Sequence, residues 1–245
     1  MSRFFVDAAD VGESTIRIVS KEDIRHIAKV LRLGEGDRIE VSDSTQWEYE
    51  AEILTVDDDC VEAKILDKQK FAREPQVQVT LFQGIPKQSK METVVQKCVE
   101  MGVYRIVPVF TERTVVTDKG NFSKKRQRWQ KVSAEAVKQC RRGIVPEIGQ
   151  EIKFRQMTEH LREFDLVLFP YENETGRTIK DSLRGLDAKP GEIALIIGPE
   201  GGFSHGEAQA LKDLGADCVT LGRTILRTET AGLAALSMIM YELEL

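Results

Sequence analysis

From Val77 onwards the chain alternates short apolar runs with helical patterns, and this rhythm restricts the fold more than any other feature. Val77 to Gly84, Arg105 to Phe110, Asp165 to Phe169, Ile193 to Ile197 and Cys218 to Leu221 read as strands. Ser89 to Met101, Ser123 to Cys140, Thr178 to Leu183 and His205 to Leu214 read as helices between them. The strands lack strict polar and apolar alternation, so both their faces must be covered, and joining them by helices implies an α/β fold with a mainly parallel sheet. A last helix, Glu229 to Leu243, is apolar almost all round through Leu233, Ala235, Leu236, Ile239 and Met240. Such a helix must be buried on more than one side, in the core or against a second subunit.

Before Pro75 the pattern is different. Thr15 to Val19, Arg38 to Val41, Tyr49 to Leu54 and Val61 to Ile65 alternate as half-buried strands do. One helix interrupts them: Ser20 is a good N-cap with Asp23 in the first turn, and Ile24, Ile27, Ala28 and Leu31 recur at helical spacing before Gly34. A small β-barrel is expected here. Lys68 to Pro75, charged and ending in proline, reads as the linker, which divides the chain into domains 1–72 and 73–245.

Composition excludes several classes. With 41% hydrophobic and 31% charged residues, no apolar run approaches the roughly 20 residues of a membrane helix. Met1 to Phe5 has none of the apolar stretch of a secretory signal, and a cytoplasmic address is the expectation. Cys60, Cys98, Cys140 and Cys218 are scattered, with no C-x-x-C pair and no histidine at ligand spacing, so neither a disulfide framework nor a metal site is expected. The net charge of -5 argues against indiscriminate binding of nucleic acid, but the cations cluster. From Lys119 through Arg142 lie Lys124, Lys125, Arg126, Arg128, Lys131, Lys138 and Arg141, against the single acid Glu135. Either one face meets phosphates or a helix presents a solvated basic side.

Two loops carry the chemistry. Ile197-Gly198-Pro199-Glu200-Gly201-Gly202 and Leu221-Gly222-Arg223-Thr224-Ile225-Leu226-Arg227-Thr228-Glu229-Thr230-Ala231 each leave an apolar strand and enter a helix. Loops at the carboxyl ends of strands are where open α/β sheets bind ligands. No Lys-Ser or Lys-Thr follows the glycines, so this is not a P-loop, and Pro199-Glu200 breaks the dinucleotide fingerprint. Gly202-Phe203-Ser204-His205-Gly206 satisfies G-x-S-x-G, but no histidine follows His205 in the chain. Ser204 with Glu207 fits a helix capping box better. A nucleoside with a cationic centre remains compatible with the loops, because glycine lets backbone approach closely and Glu200 is tolerable beside a cation.

The same two segments closely resemble the SPOUT methyltransferases, in particular the ribosomal RNA small-subunit methyltransferase E family. Further likeness lies in Arg3-Phe4-Phe5-Val6, His26 to Arg32, Lys90-Met91-Glu92, Gln96 to Gly102 and Gln139-Cys140-Arg141-Arg142, so it covers both domains. The resemblance implies a PUA-like RNA-binding barrel followed by a SPOUT domain with a deep trefoil knot. It implies a homodimer and S-adenosylmethionine as cofactor, bent among three loops. The residues so implicated are Leu168, Phe169, Pro170, Tyr171 and Glu172; Ile197, Gly198, Pro199, Glu200, Gly201 and Gly202; and Leu221, Gly222, Arg223, Ile225, Leu226, Arg227, Thr228, Thr230 and Ala231.

The implied reaction is methylation of uridine N3 in small-subunit ribosomal RNA. Its weakly acidic proton must be removed, or the anion stabilised, as the methyl group transfers. Arg227 is the expected stabiliser of a uracil oxyanion, with Glu200 or Glu229 as proton acceptor. The competing expectation is that Arg227 only pairs with one of those acids. Arg3, Arg32, Lys87, Lys90, Lys125, Arg141 and Arg142 are the expected RNA contacts, and Phe4, Phe5 and Trp129 offer stacking surfaces. A ribose 2′-O-methyltransferase and a non-catalytic RNA-binding protein are the alternatives on the same scaffold.

Overall fold

The computed structural model of the chain describes residues 2–71, 73–117 and 120–245. Met1 and Ala72, the ends of the first expected domain, and Lys119, the start of the basic cluster, lie outside them. The chain forms two compact units, Met1–Glu74 with Val137–Val145 and Pro75–Ala136 with Pro146–Leu245. The segment Val137–Val145, which the sequence pattern assigns to the second domain, therefore belongs to the first.

In the first unit, β1 (Arg3–Phe5), β2 (Thr15–Ile18), β3 (Arg38–Ser42), β4 (Trp47–Val56) and β5 (Val61–Lys70) form one sheet in the order β1-β3-β4-β5-β2. Its pairs are antiparallel except β1 with β3. The inward residues Ile16, Ile18, Ile39, Val41 and Ile53 alternate along these strands and close on Phe4 and Ile27. Helix α1 (Lys21–Arg25) is capped as expected, Ser20 Oγ accepting from Asp23 N, and widens into a π-helical turn over His26–Leu31. Strand β5 runs past the expected linker boundary. Lys68 lies 4.2 Å from the centre of the Trp47 ring, so this charged stretch has aromatic faces to pair on rather than remaining a loose connection.

Three contacts explain why Val137–Val145 joins this unit. All five donors of the Arg3 guanidinium are met: Nε and Nη2 donate to Glu40, Nη2 to Glu48 at 2.7 Å, and Nη1 to the carbonyls of Arg141 and Arg142. Arg142 Nη2 donates to Glu74 at 2.7 Å, and the other Glu74 oxygen accepts from the backbone N–H of Gly143 and Ile144. Ser42 Oγ donates to Gly143 O at 2.6 Å.

The second unit is built on a parallel sheet. Its strands are β6 (Gln78–Gly84), β7 (Arg105–Phe110), β8 (Glu147–Ile148), β9 (Ile152–Lys153), β10 (Leu166–Pro170), β11 (Glu192–Ile197) and β12 (Asp217–Val219). They run β12-β10-β11-β6-β7-β8, with β9 beside β7. The two short strands β8 and β9 escape the sequence pattern, and Pro108 explains their division. Ile106 O accepts from Gly149 and Val109 O from Ile85, so residues 106, 108 and 110 face the β8 and β9 edge. Pro108 has no N–H to give there, and β8 pairs with Arg105 and Ile106 before it while β9 pairs with Val109 and Phe110 after it.

The helices are α2 (Lys90–Glu100), α3 (Phe122–Cys140), α4 (Phe154–His160), α5 (Ile179–Arg184), α6 (His205–Asp213) and α7 (Thr228–Glu244). Helix α7 packs on α2, α5, β6 and β11, burying Gly232, Ala235, Leu236, Ile239 and Met240, and it leaves Met238 and Tyr241 exposed. Among the described residues no helix is long and apolar enough to cross a membrane. The cysteines are free thiols; Cys98 is buried in α2, which pushes its thiol up to about 12.

Candidate active site

Strands β12, β10 and β11 are neighbours and parallel, so the loops leaving their carboxyl ends emerge side by side. Backbone bonds tie these loops together: Tyr171 N donates to Val219 O, and Thr220 N to Arg177 O at 2.8 Å. Between residues 170–175, 197–203 and 220–231 lies a cavity of about 730 Å³. The glycine loop is shaped by close approach. A Cβ on Gly84 would sit 2.5 Å from Pro199 N, and Gly202 has φ +65° with a Glu172 oxygen 3.0 Å from where its Cβ would stand. Thr228 Oγ1 accepts from Gln83 Nε2 at 2.9 Å and donates to Gly198 O at 2.6 Å, pinning the start of α7 to the glycine loop and to β6.

Of the residues expected at the cofactor, Pro170, Tyr171, Glu172, Ile197, Gly198, Pro199, Glu200, Gly201 and Gly202 line this cavity. So do Leu221, Gly222, Arg223, Ile225, Leu226, Arg227, Thr228 and Ala231. Leu168 and Phe169 do not. They lie inside β10 with no exposed surface, and Phe169 packs edge-on against Phe203. Thr230 is also off the lining, exposed on the first turn of α7. Glu174, Thr175, Phe203, Thr220, Thr224 and Lys90 complete the wall. Five of these six extend the implicated runs by a residue or a few, or fill a gap in them. Lys90 stands apart, because its approach to the cavity depends on tertiary structure.

Lys90 changes the electrostatics. Its Nζ lies 3.2 Å from Glu200 Oε1 and 3.3 Å from Glu229 Oε2, and Lys87 N donates to Glu200 at 3.0 Å. Burial pushes the Glu200 carboxyl up, but backbone N–H donors and then the Lys90 ammonium outweigh it and hold it below its usual range. The hydrogen bond to Glu200 correspondingly raises the Lys90 ammonium, with Glu229 adding to the effect against burial. The expected pairing of Arg227 with one of these acids is thus not found. Arg227 is exposed at the N-cap of α7, and its guanidinium has no partner among the described residues.

The expected RNA contacts separate in the same way. Arg3 and Arg142 are buried and committed to Glu40, Glu48 and Glu74, which corrects their assignment as RNA contacts. Lys90 is spent on its two carboxylates. Arg32 and Arg141 in the first unit and Lys87 in the second are exposed, while Lys125 lies over the Phe122 ring at 4.4 Å. Phe4 and Trp129 are core residues, so of the three aromatic candidates Phe5 alone keeps partial exposure. Ser204 is the helix cap that its sequence suggests, its Oγ accepting from Glu207 N while Glu207 Oε2 accepts from Ser204 N. Among the described residues no group of three or more His, Cys, Asp or Glu could hold a metal ion.

Comparison with known proteins fits this geometry to a family. Residues 73–240 match the RNA methyltransferase domain and residues 19–66 the RNA methyltransferase PUA domain. Ribosomal RNA small subunit methyltransferase E of Bacillus subtilis (strain 168) is 31% identical over 251 residues, covering 100% of this chain and 98% of that protein. The chain belongs to the ribosomal RNA small subunit methyltransferase E family. Solved structures agree. The family member from Neisseria gonorrhoeae, bound to S-adenosyl methionine, is 29% identical, with a TM-score of 0.86 over 99% of this chain and 98% of that one. A methyltransferase from Legionella pneumophila, in complex with the cofactor SAM, is 32% identical, with a TM-score of 0.84 over 98% and 97%.

Proposed function

We propose that the protein methylates N3 of a uridine in small-subunit ribosomal RNA, with S-adenosylmethionine as the methyl donor. The observation that carries this reading is the cavity itself: three loops at the carboxyl ends of adjacent parallel strands, with an unpaired Arg227 in the wall. The residues fit that cofactor. The volume lies within the roughly 300–1,000 Å³ of small-molecule sites, the Gly198 to Gly202 backbone is bare enough for close approach by a nucleoside, and Glu172 and Glu174 suit a cationic centre. When bound, the cofactor supplies an electrophilic methyl group carried on a sulfonium.

The chain's own part is to orient the base and favour its anion. Arg227, with its donors free, stabilises negative charge on a uracil oxygen as the N3 proton departs. Glu200, held charged by backbone N–H donors and by Lys90, is a poor proton acceptor, and Glu229 faces the same ammonium. The proton therefore passes to water, and the loops contribute alignment of the reacting atoms. Phosphates are met by Arg32 and Arg141 on the first unit and, on the second, by Lys87 and by Lys124, Lys125 and Lys131 of α3. The reading includes cytoplasmic action on ribosomal RNA and a second copy of the chain over the apolar positions Met238 and Tyr241 of α7. It also includes the trefoil knot that the family resemblance implies.

The test is incubation of the protein with unmodified small ribosomal subunits and methyl-labelled S-adenosylmethionine, followed by mass spectrometry of the nucleosides. Label on 3-methyluridine is expected. Label on a ribose, or none, overturns the reading.

A further inference from the structure

Two walls of the cavity, the 198–202 loop and the first turn of α7, each direct a carboxylate at the first residue of α2. The Lys90 ammonium stands between them, 3.2 Å from Glu200 and 3.3 Å from Glu229. Glu229 Oε2 is shut off from solvent and accepts no hydrogen bond; the Lys90 contact is an ion pair outside hydrogen-bond geometry. The other ties on these segments act elsewhere: Arg113 Nη1 donates to Gly201 O at 2.9 Å, and Thr228 holds Gly198 O. Lys87 N also donates to Glu200, at 3.0 Å, but as a neutral amide it brings no counter-charge, and Glu229 Oε2 has no such donor.

Resting on the reading of the cavity as an S-adenosylmethionine site, we propose that Lys90 is a positioning residue, a clasp that holds the glycine loop and the start of α7 together in the geometry that admits the cofactor. Removing the ammonium leaves two carboxylates facing each other, one with a buried oxygen and no counter-charge. Such a group is costly to keep, and the cheapest relief is separation of the two segments. The walls of the cavity then part. Arginine in place of the lysine keeps the charge and can span both acids, although as a planar fork instead of a point charge. Glutamine in place of Glu229 removes one of the repelling charges at nearly constant shape.

The experiment compares the unaltered protein with Lys90→Met, Lys90→Arg, Glu229→Gln and the Lys90→Met/Glu229→Gln double variant. S-adenosylhomocysteine binding is measured by calorimetry, with Tm and amide exchange recorded on the free proteins. Lys90→Met is expected to bind about tenfold or more weakly, a loss of about 1.4 kcal/mol, with faster exchange at Gly202, Thr230 and Ala231, whose N–H groups are bonded within these two segments. Lys90→Arg recovers most of the affinity, and the double variant binds better than Lys90→Met alone. A clasp with a merely structural role would lower Tm and leave affinity, rescue and coupling unmoved. Unchanged affinity in Lys90→Met overturns the proposal, as does a double variant no better than the single one. If Lys90→Met does not fold, Glu229→Gln decides through exchange at the same amides, whose acceleration is expected and whose constancy overturns the clasp. Failure of the unaltered protein to bind would instead remove the reading of the cavity, and the clasp with it.

Discussion

Arg3 and Arg142 in the first unit have side chains only 5% and 6% exposed, with carboxylates and carbonyls meeting their donors. Arg223 and Arg227 in the second unit stand exposed on the wall of a cavity, with no side-chain partner among the described residues. The residue type is the same, and in sequence all four sit in segments that carry the family resemblance. What separates them is where their hydrogen bonds go. A guanidinium whose five donors are consumed by its own protein cannot also grip a phosphate or an oxyanion. One left unsatisfied in a concave site keeps that capacity, and this is how a catalytic group differs from a structural one before any ligand is seen.

The largest effect is expected from the buried side of this contrast. Arg142→Met leaves the Glu74 carboxylate, itself only 12% exposed, without its counter-charge. Breaking a buried pair in this way costs about 3–5 kcal/mol. Denaturant unfolding should show that loss, and Arg142→Met/Glu74→Met should recover much of it, since the isolated charge rather than the absent pair is the burden. A double variant as unstable as the single one would break this explanation.

Next comes Arg227→Ala. Loss of one donor to a developing oxyanion costs about 2.7–4 kcal/mol in the transition state, a fall of roughly 10²–10³ in turnover. Methylation of small subunits at saturating cofactor measures it. Stability should move by no more than about 0.5 kcal/mol, as for a surface change. If Arg227→Ala unfolded as readily as Arg142→Met, the two arginine classes would collapse into one and the catalytic assignment would fall.

The contrast also marks how far the sequence could be read. Strand and helix rhythm placed β6, β7, β10 and β11 nearly residue for residue, because each is built around an apolar run. Strands β8 and β9, two residues each, carry no periodicity to detect; the gap at Pro108 that divides them appears only once the hydrogen-bond direction of β7 is known. At the site, the glycine loop and the Leu221 to Ala231 loop were legible because their cavity-lining residues are nearly contiguous. Leu168 and Phe169 lie off the cavity wall for the converse reason, since a residue adjacent in sequence to a loop can still lie inside the sheet. Arg3, Arg142 and Lys90 were read as surface cations because charge is visible in a sequence and burial is not. Their acids, Glu48, Glu74, Glu200 and Glu229, are distant in the chain, and tertiary packing alone brings them together.

The smallest effect isolates burial from pairing. Arg38 and Glu50 meet diagonally across β3 and β4 at 3.0 Å, a distance comparable to the Arg3 contacts, but their side chains are 59% and 37% exposed. Water competes for both groups, and ordering two long side chains offsets much of the Coulomb attraction. A double-mutant cycle with Arg38→Met and Glu50→Gln should therefore return about 0.2–1 kcal/mol. Salt should reduce it further, because at 1 M the screening length of about 3 Å is as short as the pair itself. A coupling above about 2 kcal/mol that persists in 1 M salt would mean that pairing alone anchors an arginine here. Exposure would then no longer separate Arg3 and Arg142 from the rest. A small, salt-sensitive coupling leaves desolvation as the term that separates the buried arginines from the exposed ones.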